Sequence, residues 1–378
     1  MKRRNFLKIA GGGIIAAVGG AGVFAATRTP TSALEPWSLA GTYSDPRKNA
    51  LSYAILAPNP HNRQPWIVNL EGDDGVALYF DVDKQLPQTD PFDRQLTIGL
   101  GCFLELMRMA ASADGYSVDM EFFPEGEDAS GLDKRPVAYA EFRTIEAQAD
   151  PLFAKVMERR SYKQPFDTDR DIDTKTLAAV LEVAKHTALR GSVEPDQIAF
   201  WRALTSDALK IEIETPHTYK ESVDLFRIGK SEINARPDGI DLGGPMIEAL
   251  ALTGLMSREA SLDVNSTAYS QGLSAVLANT ESAMGHIWMV TSGNTRTDQL
   301  NAGADWLRVN LACAEQGISF HPLSQALQEY PEMATIFAQT HERLAPNGGT
   351  VQMLARIGYG SSTPVSPKWP LDSKIGTA

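Results

Sequence analysis

Cysteine is nearly absent from this 378-residue chain. Its two residues, Cys102 and Cys313, exclude a disulfide scaffold and any four-cysteine zinc or iron–sulfur site. Paired metal-binding histidines are missing as well: His61, His186, His217, His286, His321 and His341 are scattered. No His-Glu-x-x-His, Cys-x-x-Cys or Gly-x-Ser-x-Gly occurs. Neither a metal enzyme nor a nucleophilic hydrolase is expected, and no side chain is assigned as catalytic. Basic charge is also scarce, with 35 Lys and Arg against 47 Asp and Glu. Five of those bases lie in residues 1–33, which hold no acid, so the rest of the chain stands at −17. Phosphate neutralisation needs clustered cations, so nucleic acid is not an expected partner. What is present is 43% hydrophobic residues with 30 glycines and 22 prolines, enough for a buried core and ordinary for a globular protein.

The N-terminus is the most legible local feature. Met1-Lys2-Arg3-Arg4-Asn5-Phe6-Leu7-Lys8 precedes an uncharged stretch from Ile9 to Ala26. A basic start, an apolar run and small residues make a secretory signal, and Arg3-Arg4 resembles the twin-arginine type. Residues 1–33 are therefore read as a twin-arginine signal peptide, with Val23-Phe24-Ala25 or Thr31-Ser32-Ala33 before the cleavage point. The competing reading is an uncleaved membrane anchor, since eighteen uncharged residues just reach spanning length. The expected location is the periplasm, and the export machinery is an expected partner. That route carries folded proteins, often with a bound cofactor.

Two phosphate-binding patterns fail on context. Gly11-Gly12-Gly13-Ile14-Ile15-Ala16 lies in the leader without a preceding strand, and Gly229-Lys230-Ser231 lacks its earlier glycine, which is Asp224. In the body, helical and strand signals alternate. Helices are expected at Pro46–Leu56, Leu96–Ala113, Pro151–Arg160, Thr174–Lys185, Asp196–Glu214 and Asp298–Gln316. Strands are expected at 66–70, 76–80, 118–123, 137–142, 284–291 and 351–359, with a hairpin turn at Gly72-Asp73-Asp74-Gly75. Residues 229–272 read as a mobile or lid-like excursion.

Gly101 and Gly115 are spaced as Gly303 and Gly317 are. In that frame Leu104 matches Trp306, Met109 matches Leu311 and Ala110 matches Ala312. This favours a duplicated unit over two unrelated core helices that both end at a glycine. The expected organisation is an α+β chain with two related halves, residues 34–150 and 151–378.

Two segments carry the chemistry. In the first, Pro58, Asn59, Pro60, Asn62, Gln64 and Pro65 stiffen a loop and give it amides beside Trp66, which suits the edge of a planar heterocycle. In the second, Arg159, Arg160, Ser161 and Lys163 offer forks and a hydroxyl to an anion. Taken singly, each also has a plain reading, as a capped turn and as a solvated basic run.

Together these segments resemble the nitroreductase superfamily of FMN-binding oxidoreductases. Pro58 through Trp66 is similar to its Pro-Ser-x-x-Asn-x-Gln-Pro-Trp segment, with Asn59 in place of Ser, and Arg159 to Lys163 resembles its phosphate-binding Arg-x-Ser. The run 303–324 resembles the later core helix and flavin-edge loop, and Arg356 to Gly360 the final strand. The single-chain, duplicated, Acg-like branch fits the helix repeat.

The resemblance implies a nitroreductase-like pseudo-dimer with one FMN. Arg159, Arg160, Ser161, Lys163 and Lys368 would lie at the phosphate. Pro58, Asn59, Pro60, Asn62 and Gln64 would lie at the ring, and Pro322, Leu323 and Ser324 at its N5 edge. The family's closing pair of cations is reduced here to Lys368 in Pro367-Lys368-Trp369-Pro370-Leu371. The implied activity is hydride transfer from flavin N5 to nitro, quinone or similar acceptors, small and aromatic or quinone-like, fed by an envelope electron donor. The rival is an FMN storage or sequestration protein with a shielded flavin and no NAD(P)H turnover. A flavin-free binding protein is the third reading.

Overall fold

The computed structural model describes residues 27–144 and 148–376. Most of the leader lies outside these residues. Two proline-led helices come first, α1 (Glu35–Leu39) and α2 (Pro46–Ala54), and Asp45 caps α2 by accepting from the amides of Arg47 and Lys48. Strands β1 (Trp66–Glu71) and β2 (Gly75–Phe80) form the expected hairpin. The long α3 (Arg94–Ala113) follows, then β3 (Tyr116–Phe122) and β4 (Pro136–Thr144). These strands make an antiparallel sheet in the order β1-β2-β4-β3.

The second stretch departs more from expectation. Only Pro151–Lys155 forms a short 3-10 turn where a helix to Arg160 was expected, and α4 (Thr174–Leu181) ends before Lys185. Next come β5 (Ala188–Ser192), α5 (Pro195–Glu214), α6 (Pro216–Asp224), β6 (Phe226–Ile228), α7 (Gly229–Ala235) and β7 (Ile240–Leu242). After these run α8 (Pro245–Leu252), α9 (Arg258–Leu262) and α10 (Thr267–Glu281). The 229–272 excursion is therefore largely helical, tied down by the parallel pair β6–β7. The chain closes with β8 (Gly285–Thr291), α11 (Arg296–Glu315), β9 (Ser319–Pro322), α12 (Ala334–Leu344) and β10 (Thr350–Gly358).

The second antiparallel sheet runs β5-β8-β10-β9. Counted in chain order this is the first sheet's arrangement again: first, second, fourth, third. In both, the twenty-residue helix lies between the second and third strands. Each sheet also carries a register shift between its second and fourth strands, at Leu78/Tyr79 and at Val351/Met353.

The helices α3 and α11 pack directly on each other through glycine. A β-carbon on Gly101 would overlap the Leu300 carbonyl oxygen, and one on Gly303 would overlap that of Ile98 and lie 2.8 Å from the Gly101 Cα. Backbone can approach this closely only where neither residue has a side chain. One hydrophobic core then runs through both halves, from Trp37 and Trp66 to Trp306, Phe320 and Ile357, and a smaller cluster gathers around Trp201 and Leu354. Among the described residues α3 alone is long and apolar enough to cross a membrane, and it is largely buried in this core. The Cys102 thiol donates to the Gly303 carbonyl at 3.1 Å, and burial pushes its pKa up to about 12, which makes it inert.

The C-terminal tail returns to the first half. Val68 N donates to Lys374 O at 2.8 Å, Gly376 N to Val68 O at 3.0 Å, and Val68 and Ile375 form a parallel bridge at the free edge of β1. This path carries Lys368 back to the loop at residues 58–65.

Candidate functional site

Between α2 and β1 the backbone takes an uncommon course. His61, Asn62 and Gln64 have φ of 45°, 51° and 51°, three of the five left-handed non-glycine residues described. Asn adopts this region readily, but His and Gln do so at a cost, which concentrates strain in this loop. The loop is held from within: Asn59 Oδ1 accepts from Gln64 N at 2.7 Å, Asn59 Nδ2 donates to Ala57 O at 3.1 Å, and Arg63 N donates to Pro60 O at 2.9 Å. Gly99 of α3 makes room for it, since a β-carbon there would sit 3.0 Å from Asn59 Cβ.

The amides expected at a ring edge are engaged with the chain itself. Gln64 is fully buried; its Nε2 donates to Pro237 O at 2.7 Å and its Oε1 accepts from Trp369 N at 2.9 Å. Asn62 Nδ2 donates to Pro367 O at 2.9 Å and Pro237 O at 3.2 Å, while its Oδ1 accepts from Lys368 Nζ at 3.1 Å. These groups therefore fasten the loop to the tail and to residue 237. Asp238, next to it, pairs with Lys84 at 2.6 Å, Arg227 at 3.3 Å and Arg63 at 3.6 Å.

Beneath the loop lie two buried cations. Arg159 is 4% exposed and donates to Leu56 O at 3.0 Å; Lys368 is 1% exposed and donates to Ala57 O at 3.0 Å. No carboxylate lies within ion-pairing distance of either among the described residues. Burial lowers the Arg159 pKa to about 10, and burial plus the neighbouring Arg159 and Lys374 hold Lys368 well below an ordinary lysine. Like charges so placed, unpaired, are costly unless an anion joins them.

Other expected residues divide. Residues 161–163 run beside β9, with Tyr162 N donating to Phe320 O at 2.8 Å. Ser161 is half-buried and Lys163 is exposed. Arg160 turns away, its guanidinium 5.3 Å from the Trp37 ring centroid and bonded to the carbonyls of Met157, Arg159 and Thr363. Pro322 is paired with Ala355 in the sheet, and Leu323 is buried with its amide on Leu354 O. The Ser324 carbonyl accepts from Gln95 Nε2 at 3.4 Å.

Three further residues belong here. Arg356 on β10 donates from Nε to His321 Nδ1 at 2.8 Å, from Nη1 to Ser282 Oγ at 3.2 Å and from Nη2 to the carbonyls of Tyr162 and Gln164, with its guanidinium 4.0 Å over Phe166. An accepting Nδ1 leaves the His321 proton on Nε2. Burial, then Arg356 and Lys163, push the His321 pKa well down; burial, then Lys163 and Arg63, lower His61 to about 4. Asp241 on β7 is raised by burial and feels Lys163 and Lys368. His61 and His321 are half-exposed and Asp241 exposed, yet desolvation dominates all three. Each of the three feels the charge of Lys163, and together the four mark a candidate cleft. His321 and Arg356 were within reach of the sequence reading, which quoted their segments without assigning them a role. Asp241 gave no signal, because it sits in a three-residue strand.

No family model matches the chain. It is 34% identical over 128 residues to acg of Mycobacterium tuberculosis, a protein named as an NAD(P)H nitroreductase, covering 33% of this chain and 38% of that one. The match thus spans under two fifths of that relative. Rv3131 of the same organism, similarly named, is 29% identical over 113 residues, 30% of this chain and 31% of that one. Rv3127, uncharacterised, is 24% identical over 335 residues, 87% of this chain and 92% of that one. Among solved structures, one from Anabaena variabilis described as a nitroreductase covers 87% of this chain and 91% of its own, at 11% identity and a TM-score of 0.46. The FMN-dependent nitroreductase NfnB of Mycobacterium smegmatis, solved with NADPH, covers 59% of this chain and 96% of its own, at 15% identity and a TM-score of 0.36.

Proposed function

We propose that this chain is an FMN-dependent oxidoreductase of the nitroreductase type, acting on nitro, quinone or similar flat acceptors in the cell envelope. The observation that carries the reading is the buried Arg159–Lys368 pair, which lacks a carboxylate and lies under a proline-stiffened, left-handed loop. Two cations without a protein counter-ion fit a phosphate monoester, so the donor set suits FMN. Arg159 and Lys368 would hold the phosphate, with Ser161 and Lys163 on the cleft side. When bound, the flavin supplies hydride transfer.

The chain's own part is positioning and hydrogen-bond donation. The loop at residues 58–65 holds its shape through Asn59, Asn62 and Gln64, so these act through the loop. His321, oriented by Arg356, presents Nε2–H to the cleft as a hydrogen-bond donor. Lys163 and Asp241 set the charge at its mouth. The nitroreductase names of the sequence relatives support the reading. The duplicated, pseudo-dimeric organisation is supported by the repeated strand order and by the Gly101–Gly303 contact.

Export through the twin-arginine route is part of the proposal. Ala33 is 1% exposed and its carbonyl accepts from Lys368 N at 2.8 Å, which favours cleavage after Ala25 over cleavage after Ala33. One observation favours the storage reading: the segment at residues 237–239 is clamped onto the loop, with Gly239 N donating to Asn62 O at 3.3 Å beside the Asp238 ion pairs. The visible spectrum of the purified protein, followed anaerobically through NADPH and then dithionite, separates the cases. Bleaching by NADPH supports the reductase. Bleaching only by dithionite supports storage or a dedicated envelope donor, and a colourless protein that takes up no FMN overturns both.

A further inference from the structure

The exposed large apolar side chains are not spread over the surface. Met246, Leu250, Leu252, Leu255, Leu262 and Val264 fall within nineteen residues, and Leu39, Phe92 and Met157 are the other three described. Met246 is 72% exposed and Leu252 78%. They belong to α8, whose sequence Pro-Met-Ile-Glu-Ala-Leu-Ala-Leu has one polar residue, and to the turn and helix after it. A helix that is apolar all round is ordinarily sunk in a core or in lipid, yet no residue of α8 is buried.

The same place receives the N-terminal segment. Arg28 Nη1 donates to Glu248 Oε2 on α8 at 2.9 Å, and Lys230 Nζ donates to Thr27 O at 3.1 Å. Glu248 also accepts from Lys230 N at 2.8 Å, so the one acid of α8 is neutralised and turned inward. The first described residues, Thr27 and Arg28, therefore lie at the most apolar exposed helix described, directly after the eighteen-residue uncharged stretch Ile9–Ala26 in the sequence. A segment of that composition partitions into lipid, whether it is later cut or kept.

We propose that α8 and the turn through Leu255 form a bilayer-docking surface, lying in the membrane interface next to the point where the leader enters the lipid. This stands apart from the flavin reading and survives its failure. Because β7 leads into α8 through Gly243-Gly244, with Gly244 at φ 98°, the docked helix begins four residues after Asp241 of the cleft.

The test uses the full chain. Cys102 and Cys313 are buried, so Leu252→Cys offers one reactive thiol for an environment-sensitive fluorophore, with Glu121→Cys on the edge strand β3 as the reference. Vesicles of phosphatidylethanolamine and phosphatidylglycerol, with and without brominated acyl chains, are added. The label at position 252 should shift to the blue and lose at least half its intensity to bromine, while that at 121 stays unchanged. A chain that binds vesicles with position 252 still in water overturns the proposal, as does a chain that does not bind. Shielding at 252 before vesicles are added also overturns it, naming a second copy if it depends on protein concentration and the leader if it does not.

Discussion

Buried arginine and lysine occur in two settings here, and the contrast separates scaffold from site. At the junction of α3 and α11, Arg308 meets Asp150 at 2.6 Å and Glu105 at 3.1 Å, and Glu105 also holds Arg108 at 2.6 Å. Close by, the carboxylate of Asp305 accepts from the amides of Lys185, His186 and Thr187. Each of these charges has an opposite or a donor within the chain. Under the 58–65 loop, Arg159 and Lys368 have carbonyls and an amide oxygen only. Buried Arg296, Arg356 and Lys374 rest on neutral acceptors too, so what marks Arg159 and Lys368 is that two such cations adjoin under the loop, and this supports our proposal that an anion from outside joins them.

Breaking the compensated cluster should have the largest effect. Arg308→Met strands Asp150 and part of Glu105, and urea unfolding should show a loss of about 3–5 kcal/mol. FMN affinity should not change in the surviving folded protein. Lys368→Met should do the reverse. The flavin-free protein should be as stable as the parent or more so, while fluorescence titration should show FMN bound about 10–100-fold more weakly, the worth of one charge-assisted hydrogen bond.

Acidity and alkalinity sharpen the same contrast. Lys368 is held well below an ordinary lysine, and Lys374 is lowered to about 8 by burial and by Lys84. The unfolded chain binds more protons than the folded one across that range, so stability of the flavin-free protein should rise from about pH 8 towards the unperturbed lysine value near 10.5. Bound phosphate should flatten this slope, and Lys368→Met should reduce it. At the other end, His61 is lowered to about 4, so its neutral form contributes stability that fades as pH falls from about 6.5 through 4. Asn tolerates the left-handed conformation, and His61→Asn should lessen the acid loss, read from unfolding midpoints at pH 7 and pH 5.

The smallest effect expected comes from a neutral group. Asn310 of α11 is 1% exposed, and neither its amide nitrogen nor its oxygen has a partner among the described residues. Asn310→Leu should gain about 1 kcal/mol in the same unfolding assay, equally with and without FMN. A gain appearing only in the absence of FMN would place Asn310 with the reserved group instead.

How much of this was legible depended on periodicity and on punctuation. The hairpin at Gly72–Gly75 and the helices at 94–113, 195–214 and 296–315 came through because apolar spacing and turn residues agreed. The repeat spacing Gly101/Gly303 pointed at two positions that proved to be in contact. Helices α6, α10 and α12 were not read, nor was β5; α10 is rich in Ser, Thr and Gly and packs against α5, so tertiary contacts outweigh its propensity. Of the segments expected at the site, the 58–65 loop, Arg159 and Lys368 lie together, while Arg160 turns away. The division of labour among them was not legible. Whether Asn62 and Gln64 face a ligand or the tail depends on where residues 237 and 367–369 lie, a long-range fact that no local pattern encodes. Arg160 differs from Arg159 only in direction, and Asp241 comes 81 residues after Arg160.

The glycine contact between α3 and α11 also bears on synthesis. The face of α3 centred on Gly101 is covered by residues around Gly303, 202 residues further along the chain. At about 5–20 residues per second a ribosome needs roughly 10–40 s to deliver the covering helix. During that interval the first half is finished as sequence but unfinished as structure, with an apolar, membrane-length helix open to any chaperone or bilayer that finds it. The order of the chain thus makes the last third of translation the step that commits the whole molecule to its fold.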